Sequence, residues 1–475
     1  MTGRAGPAVQ PAAHQHGHPG RDPNDRTLPF RGMHPRPIVD LDARMHGFPP
    51  DPSGQITLAT WQDPPNLRWA FQHMREIIPS QRIAAGPPHA LTERPGSVGH
   101  VDVHRLDGTV GTVDDVLADT STDAVIVVHN GHVIEERYLG GMTPATPHLL
   151  MSVSKSIVGC VAGTLAAEGA LVPARPITDY VPEMAGSGYD GATVRNLLDM
   201  RTGVRYRETY TDPDAEVRVM ERSMGWRPSQ SEDPPGLYSY LTTLGPERPH
   251  GGRFVYRSAD TDVLGWVCER AAGARMADLV SERIWVPLGA RHDAEITCDA
   301  MGSGVHDGGI SATAQDLARF GLMLLKGGRV GRRQVVPEQW LSESWTPGTD
   351  VRAAFADSDN EPFLPGGWYR NQFWFVPGHN GPVLLCLGIH GQMIHVDPAT
   401  RTVCVKFSSW PDPQNPAHLI DTIRAFGAVG AHLAEVRAAG RVPQARGRGG
   451  GRRRAGRKQA SDSDGAVPAG PRSLE

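Results

Sequence analysis

The segment that decides the fold spans positions 149 to 165 and reads Leu149-Leu-Met-Ser-Val-Ser-Lys-Ser-Ile-Val-Gly-Cys-Val-Ala-Gly-Thr-Leu165. It begins as a loop and continues as an apolar run that predicts a buried helix. A helix starting near Ser152 brings Ser152 and Lys155 onto one face, because residues three apart are neighbours on a helix. The serine hydroxyl then lies near the positive end of the helix dipole, which favours alkoxide character.

Lys155 is the residue that gives this serine a chemical role. Desolvation disfavours an ammonium group, so a buried lysine can lose its proton at moderate pH and activate a serine. The chain has 48 Lys and Arg residues, and the lysines among them are Lys155, Lys326, Lys406 and Lys458. Among these, only Lys155 follows a serine by three positions. Arginine cannot act as a base, so a lysine here indicates a role that arginine cannot fill, although a structural lysine remains the alternative.

Two further segments supply candidate partners. Tyr256 stands in a polar stretch directly before a predicted helix, where its phenol could pass a proton to a leaving group if Lys155 lowers its pKa. A tyrosine that only anchors a loop is the alternative. Gly388 lies within a predicted strand, and glycine there marks a bulge or a close backbone approach. Free backbone N–H groups of this strand could complete an oxyanion hole with the N–H of Ser152.

These three segments, in this order, resemble the penicillin-recognising serine hydrolases. That superfamily comprises class C β-lactamases, DD-peptidases, related carboxylesterases and 6-aminohexanoate-dimer hydrolases, and the resemblance is greatest to the last group. The supporting stretches are Trp61-Gln-Asp-Pro-Pro-Asn66, Trp69-Ala-Phe-Gln-His73, Asn196-Leu-Leu-Asp-Met-Arg-Thr-Gly203, Gly308-Gly-Ile-Ser-Ala-Thr-Ala-Gln-Asp316 and Gly388-Ile-His-Gly-Gln392. The similarity covers roughly residues 38 to 438.

The resemblance implies a role for each motif residue. Ser152 would be the nucleophile, Lys155 its partner and Tyr256 the general acid and base. Overlaying Cys386-Leu-Gly388 on the family's Lys-Thr-Gly triplet makes the N–H of Ile389 the second oxyanion donor, beside that of Ser152. The residues expected to contact substrate are Tyr210 (with Tyr206 as a weaker substitute), Ser258, Gly388 and His390.

Two departures from the family pattern bear on the substrate. Ser258 stands where the β-lactamases carry asparagine, and Cys386 where they carry a lysine that engages a carboxylate. A shifted overlay using His390-Gly391 would restore a cationic group. We therefore expect hydrolysis of small linear amides or esters through an acyl-enzyme, with a β-lactamase or DD-peptidase, or a catalytically silent binding protein, as alternatives.

The expected fold is α/β (α+β) and β-lactamase/transpeptidase-like, with a central, mainly antiparallel sheet flanked by helices. An Asn130-Gly131 turn predicts a hairpin between 124–128 and 133–138. Predicted helices cover 67–78, 194–200, 261–271, 276–284, 313–325 and 417–436, and strands cover 383–396 and 402–408. We expect a tail at 1–35, a hydrolase domain at 36–438 with a helical cap inserted at about 176–290, and a basic tail at 439–475.

Composition narrows the remaining possibilities. Hydrophobic residues make up 39% and charged residues 21%, as in soluble globular proteins. No run approaches the roughly 18 apolar residues of a membrane span, and the N-terminus lacks the apolar segment of a signal peptide, which favours the cytoplasm. Five scattered cysteines favour free thiols and form no metal cluster. We expect a small-molecule substrate and no cofactor, and a homodimer is possible.

The charge is unevenly distributed. The net charge is -4, although the last 36 residues carry nine Arg/Lys and three Asp/Glu. The stretch from Arg446 to Lys458 is typical of nucleic-acid-binding tails. It lacks interleaved aromatic residues and follows an acidic body, so nucleic-acid binding is the weaker interpretation. His14, His16 and His18 lie in a Gly- and Pro-rich tail that offers a metal no fixed geometry.

Overall fold

The computed structural model describes residues 44–439. The strands in this range are β1 (Ser80–Ile83), β2 (Thr92–Glu93), β3 (Asp102–His104), β4 (Val110–Thr112), β5 (Thr122–His129), β6 (His132–Tyr138), β7 (His148–Leu149), β8 (Ala294–Thr297), β9 (Ile310–Ala312), β10 (Arg329–Val330), β11 (Arg333–Gln334), β12 (Trp368–Arg370), β13 (Phe373–Gly378), β14 (Gly381–Gly388), β15 (Gln392–Asp397) and β16 (Thr402–Ser408). The tails predicted at 1–35 and 439–475, with their histidine and arginine clusters, lie outside the described side chains.

The α-helices of the described residues are unevenly distributed along the chain, and half of them lie between β7 and β8. They are α1 (Leu67–Ala70), α2 (Met74–Ile77), α3 (Val113–Asp119), α4 (Val153–Ala167), α5 (Val194–Leu198), α6 (Glu216–Ser223), α7 (Leu237–Leu241), α8 (Ser258–Ala272), α9 (Met276–Val280), α10 (Val286–Leu288), α11 (Ala314–Leu325), α12 (Glu338–Trp345), α13 (Thr349–Ala356) and α14 (Pro416–Ala439). A π-helical stretch, Ser281–Trp285, joins α9 to α10. No helix among the described residues is long and apolar enough to cross a membrane.

An eight-stranded sheet built from both ends of the chain organises the molecule. Its order is β12-β13-β14-β15-β16-β5-β6-β2, and every neighbouring pair is antiparallel except β2 with β6. The chain therefore contributes β2, β5 and β6 to the sheet early and returns to it only after the helical middle. The fold class expected from the sequence is confirmed.

The two faces of this sheet bury different helices, because side chains alternate between the faces along each strand. On β16, Val403 and Val405 pack into the main core with α4 and α11, whereas Cys404 packs into a second core. That second core contains Phe426 and Val429 of α14. α14 thus covers the face opposite α4.

The predicted hairpin is confirmed, and one predicted strand is wrong. Asn130 (φ 51°) and Gly131 (φ 83°) form the turn between β5 and β6. The stretch 383–396, expected as one strand, is a second hairpin formed by β14 and β15. His390 (φ 60°) and Gly391 (φ 93°) reverse the chain there, so that Gly388 faces Gln392 across the turn.

The helix predictions agree best where capping signals are present. Thr313 caps α11 by accepting a hydrogen bond from the N–H of Asp316, as expected. The helix predicted over 67–78 is instead two single turns. The N–H of Leu149 bonds the Phe71 carbonyl at 2.8 Å, so a β7 residue takes an acceptor that a longer helix would use. The helices predicted at 194–200, 261–271, 276–284 and 417–436 correspond to α5, α8, α9 and α14 with shifted ends.

The elements named above that lie in the region predicted as an inserted cap are all helices. α5 to α10 all lie within 176–290. Directly after it, β8 and β9 join β1 and β7 in a small four-stranded sheet that the sequence did not predict. The division of the chain into a hydrolase domain with a cap remains a prediction.

Candidate active site

Ser152 is presented by a strained turn at the start of α4. Met151, the preceding residue, has a φ of 47°, a region in which a non-glycine residue costs roughly 1–3 kcal/mol. Two hydrogen bonds hold the turn: Leu150 N–H donates to the Ile310 carbonyl at 2.8 Å, and Ser154 N–H donates to the Met151 carbonyl at 2.9 Å. α4 itself is buried from Val153 to Leu165, so the position of Ser152 is fixed by the core.

Lys155 points back along α4 to the serine, as predicted from the spacing. Its Nζ donates to Ser152 Oγ at 2.9 Å, to Ser258 Oγ at 3.1 Å and to the Asp307 carbonyl at 2.8 Å. A carboxylate oxygen of Asp307 lies 3.4 Å away. An ammonium group has three N–H donors, and these contacts use all of them.

The expectation that burial frees Lys155 of its proton is wrong for this site. Burial alone would lower the pKa of Lys155, but the negative groups around it outweigh burial and raise it. The charges responsible are those of Tyr256, Asp307, Glu208 and Asp262. The raised pKa favours the ammonium form of Lys155 in the free protein.

Tyr256 lies beside this lysine. Lys155 Nζ is 5.2 Å from the centre of the Tyr256 ring. Burial raises the pKa of the phenol to about 12, while the charge of Lys155 and a hydrogen bond with Ser152 oppose that rise. Lys155 does lower the pKa of the Tyr256 phenol, as the sequence analysis required. Burial and the nearby Glu208 carboxylate raise that pKa by more than Lys155 lowers it.

Glu208 is a site residue that the sequence reasoning missed. Its carboxylate accepts hydrogen bonds from Ser258 N–H at 2.8 Å, from Ser258 Oγ at 2.9 Å and from Tyr210 Oη at 2.8 Å. Burial raises the pKa of Glu208, and Lys155 opposes that rise. Ser258, expected to contact substrate, is 1% exposed and links Lys155 to Glu208. The only sequence signal for Glu208 was its position two residues before Tyr210.

Two buried aspartates complete the surroundings of the lysine and were also missed. Asp262, on α8, accepts the N–H groups of His306 and Asp307 at 2.8 and 3.1 Å. Burial and the neighbouring Asp307 raise the pKa of Asp262. No sequence signal singled out Asp262, because α8 also carries Asp260 and Glu269, while Asp307 directly precedes the Gly308-Gly309 pair of a recognised stretch.

Gly388 lies against the turn that carries the serine, as its place in a strand suggested. A Cβ atom at this position would come within 2.6 Å of the Leu150 carbonyl oxygen and 3.1 Å of Met151 Cβ. Only glycine permits β14 to approach the turn this closely. Ile389 follows Gly388, and both line the same cleft as Ser152.

Three residues named in the sequence analysis do not line the cleft that holds Ser152. The hydroxyl of Tyr210 bonds Glu208, and Tyr210 lines a neighbouring pocket, not the cleft that holds Ser152. His390 is buried, its Nδ1 lies 2.7 Å from the Trp410 carbonyl, and burial lowers its pKa to about 4. The shifted overlay is therefore wrong in supplying a cation. Cys386 is fully buried in the core shared with α4.

The cleft above Ser152 has a volume of about 420 Å³. Its lining residues are Ser152, Glu208, Tyr256, Asn360, Phe363, Leu364, Trp374, Leu387, Gly388, Ile389, Gly391, Gln392, Met393, Trp410, Pro413, Gln414, Asn415, Pro416 and Leu419. Such a volume suits a small organic substrate. Within residues 44–439, no group of three or more His, Cys, Asp or Glu side chains is arranged to hold a metal ion.

A family model described as beta-lactamase matches residues 111–428, which include Ser152, Lys155, Tyr256 and the β14–β15 hairpin. The chain belongs to the β-lactamase family. A 6-aminohexanoate-dimer hydrolase from Paenarthrobacter ureafaciens is 41% identical over 394 residues, which are 80% of this chain and 97% of that protein.

Solved structures agree with this assignment. A Bacillus anthracis protein assigned as a 6-aminohexanoate-dimer hydrolase is 26% identical, covers 82% of this chain and 98% of its own, and superposes with a TM-score of 0.73. EstCE1, a hydrolase with promiscuous acyltransferase activity, is 18% identical, covers 66% of this chain and 98% of its own, and has a TM-score of 0.53, which indicates a shared fold. This family member is a serine hydrolase of amides or esters.

Proposed function

We propose that this hydrolase cleaves small linear amides or esters through an acyl-enzyme formed on Ser152. The observation that carries the proposal is the 2.9 Å contact between Lys155 Nζ and Ser152 Oγ at the base of a 420 Å³ cleft. A serine hydroxyl is a poor nucleophile at its own pKa and needs an adjacent group that manages its proton. Lys155 and Tyr256 are the proton-handling groups within reach.

Lys155 and Tyr256 are proposed to handle this proton as a pair. Because the surrounding carboxylates keep Lys155 protonated, the pair must first release one proton before it can accept that of Ser152. Strongly interacting groups lose protons as a unit, so the reactive form carries one proton fewer on the pair as a whole. The Ser152 proton then moves to the pair as Oγ attacks the carbonyl carbon.

The later steps use the same groups. The N–H groups of Ser152 and Ile389 are proposed to stabilise the tetrahedral oxyanion, an interaction that contributes about 2.7–4 kcal/mol per donor in other hydrolases. Tyr256 returns the proton to the leaving amine or alcohol as the C–N or C–O bond breaks, leaving the acyl group on Ser152. Water then attacks the acyl-enzyme, and the pair accepts and returns a proton in the same way.

Linear substrates are favoured over β-lactams by the third motif. Cys386 is buried against α4 and His390 is neutral, so neither offers a cation to a β-lactam carboxylate. The 41% identical relative, named as a 6-aminohexanoate-dimer hydrolase, supports a linear amide as substrate. Tyr210 is proposed to act on the substrate only indirectly, through Glu208.

A cytoplasmic location is part of the proposal. All five cysteines are buried and free, which fits a reducing compartment. A homodimer is compatible with the proposal, and nucleic-acid binding by the basic tail is not required by it.

The test is labelling and turnover with a matched serine control. Ser152→Ala should lose fluorophosphonate labelling and at least about 10³-fold of its turnover of p-nitrophenyl esters and 6-aminohexanoate dimer. Ser154→Ala, two residues along the same helix, removes a hydroxyl that accepts the Ile310 N–H, and it should still be labelled. Labelling that persists in Ser152→Ala would refute the assignment, and preferential turnover of nitrocefin in the same panel would favour a β-lactamase.

A further inference from the structure

The lining of the active-site cleft carries a single charge. Among its described lining residues, Glu208 is the only one with an ionisable acidic or basic side chain other than Tyr256. Apolar and aromatic side chains such as Trp374, Leu387 and Leu419 form much of the remaining wall. The other polar groups, including Gln414, are uncharged.

Three cations close to cleft-lining residues already have hydrogen-bond partners. Lys155 Nζ donates its three N–H groups to Ser152 Oγ, Ser258 Oγ and the Asp307 carbonyl. Lys406 is fully buried and does not line the cleft, and its Nζ lies 5.5 Å from the centre of the Trp410 ring.

Arg218 is likewise committed, and it lies outside the lining of the cleft. Its Nη1 donates to Glu221 at 2.6 Å, and its Nη2 donates to the Tyr210 carbonyl. None of these three cations is therefore placed to pair with a carboxylate bound in the cleft.

We propose that the cleft selects substrates whose chain is uncharged or ends in an ammonium group, and rejects chains that end in a carboxylate. The proposal rests on the function proposed above and defines its substrate class. A carboxylate entering this largely apolar cleft loses its hydration, and without a counter-ion the neutral amides of the lining compensate that loss only in part. The Glu208 charge repels it further, whereas it attracts an ammonium group.

The substrate named for the relatives carries both of the charges that the cleft is proposed to distinguish. The 6-aminohexanoate dimer carries a carboxylate on its amine-side half and an ammonium on its acyl-side half. If the amine-side half lies in the cleft, the dimer should be a poorer substrate than its C-terminal carboxamide. If the acyl-side half lies there, the dimer should be tolerated, and the discrimination should appear on the acyl side.

The experiment compares matched chains on both sides of the scissile bond. The acyl series is p-nitrophenyl hexanoate, p-nitrophenyl 6-aminohexanoate and mono-p-nitrophenyl adipate, each normalised to its hydroxide-catalysed rate. The leaving-group series is N-hexanoyl-6-aminohexanoate and its carboxamide. In at least one series, we expect kcat/KM for the carboxylate to be about 30-fold lower than for the neutral chain, while the ammonium ester stays within about 5-fold of it.

A variant that adds a cation tests the electrostatic cause. Gln414 lines the cleft and is exposed, so Gln414→Lys places an ammonium there and Gln414→Met is its neutral control. The ratio of carboxylate to neutral kcat/KM should rise about tenfold in the lysine variant only. Equal ratios in both variants, or wild-type rates within 3-fold for neutral and carboxylate chains in both series, would overturn the inference. Turnover that survives in Ser152→Ala would instead overturn the proposed function.

Discussion

Lys155 and Lys406 are buried on opposite sides of the eight-stranded sheet, and their pKa values shift in opposite directions. Lys155, on α4, is 1% exposed, and the carboxylates around it raise its pKa. Lys406, on β16, is fully buried, and burial lowers its pKa to about 7, with only the more distant charge of Asp123 opposing the shift. Burial is nearly identical at the two positions, so burial alone does not set the protonation state.

The difference lies in the partners that each ammonium group finds. Tyr256, Asp307, Glu208 and Asp262 all act to raise the pKa of Lys155. At Lys406 the Nζ group is held by neutral oxygens, the Ser408 hydroxyl and the Thr120 carbonyl, and it lies over the Trp410 ring. Charge on a buried lysine is thus retained where carboxylates converge, and such convergence in a cleft is a mark of a functional site.

The largest expected effect is the loss of activity on removing Lys155. Lys155→Met should reduce kcat for p-nitrophenyl hexanoate by at least about 10³-fold, and Lys155→Arg should be nearly as damaging, because arginine cannot release a proton. Lys406→Met is the matched control, equally buried and outside the cleft lining. It should stay within about 5-fold of the wild-type rate, and a loss as large as that of Lys155→Met would break the distinction.

The second effect concerns stability and belongs to Lys406. The folded-state pKa of about 7 is below the ordinary value of 10.5, so between these values the unfolded chain binds more protons than the folded one. The stability contributed at this site therefore rises with pH across that window, by about 1.4 kcal/mol per unit. Lys406→Met removes this dependence. Relative to wild type, it should be more favourable at pH 7 than at pH 9 by about 2 kcal/mol, because Lys406 is already half protonated in the folded state at pH 7.

Urea unfolding at pH 7, 8 and 9 measures this difference directly. Asp123 contacts Arg68 at 2.5 Å and His148 at 3.3 Å and is present in both proteins, so its own effect on stability cancels. A free-energy difference between the variant and wild type that does not change with pH would show that Lys406 keeps its proton as Lys155 does. The two lysines would then be alike after all.

How much of this could be read from the sequence depends on the range of each interaction. The contact between Ser152 and Lys155 lies within one helical turn, so spacing alone predicted it. The Asn130-Gly131 hairpin and the Thr313 cap are equally local. The protonation state of Lys155 was predicted wrongly, because its carboxylate neighbours come from distant parts of the chain.

The same reasoning explains the errors in the fold. The break between α1 and α2 depends on a hydrogen bond from Leu149, far along the chain. The reversal at His390 uses a positive φ, which is uncommon for a residue other than glycine, and the predicted strand ran through it. The role of Ser258 as a link to Glu208 required knowing that residues 50 apart meet.

The smallest effect is a shift in pH dependence from Glu208→Gln. The Glu208 carboxylate raises the pKa of both Lys155 and Tyr256, so its neutralisation should lower both. Because the pair must release a proton before it accepts that of Ser152, and the pKa of both groups is raised, the wild-type kcat/KM should rise with pH and level off only well into the alkaline range. In Glu208→Gln that rise should occur about one pH unit lower, since glutamine keeps an acceptor oxygen for the Ser258 hydroxyl but not the charge.

The shape of the profile, not the absolute rate, decides this prediction, because Glu208→Gln can also disturb the position of Ser258. An amide substrate is preferable to an ester, whose hydroxide-catalysed rate would obscure the alkaline side. Asp123→Asn is the matched control, since it removes a buried carboxylate whose charge acts on Lys406. A shift of equal size in both variants would mean that the overall charge of the protein sets the pKa of the Lys155–Tyr256 pair. A shift in Glu208→Gln alone would mean that the local carboxylates do, as the contrast between the two lysines requires.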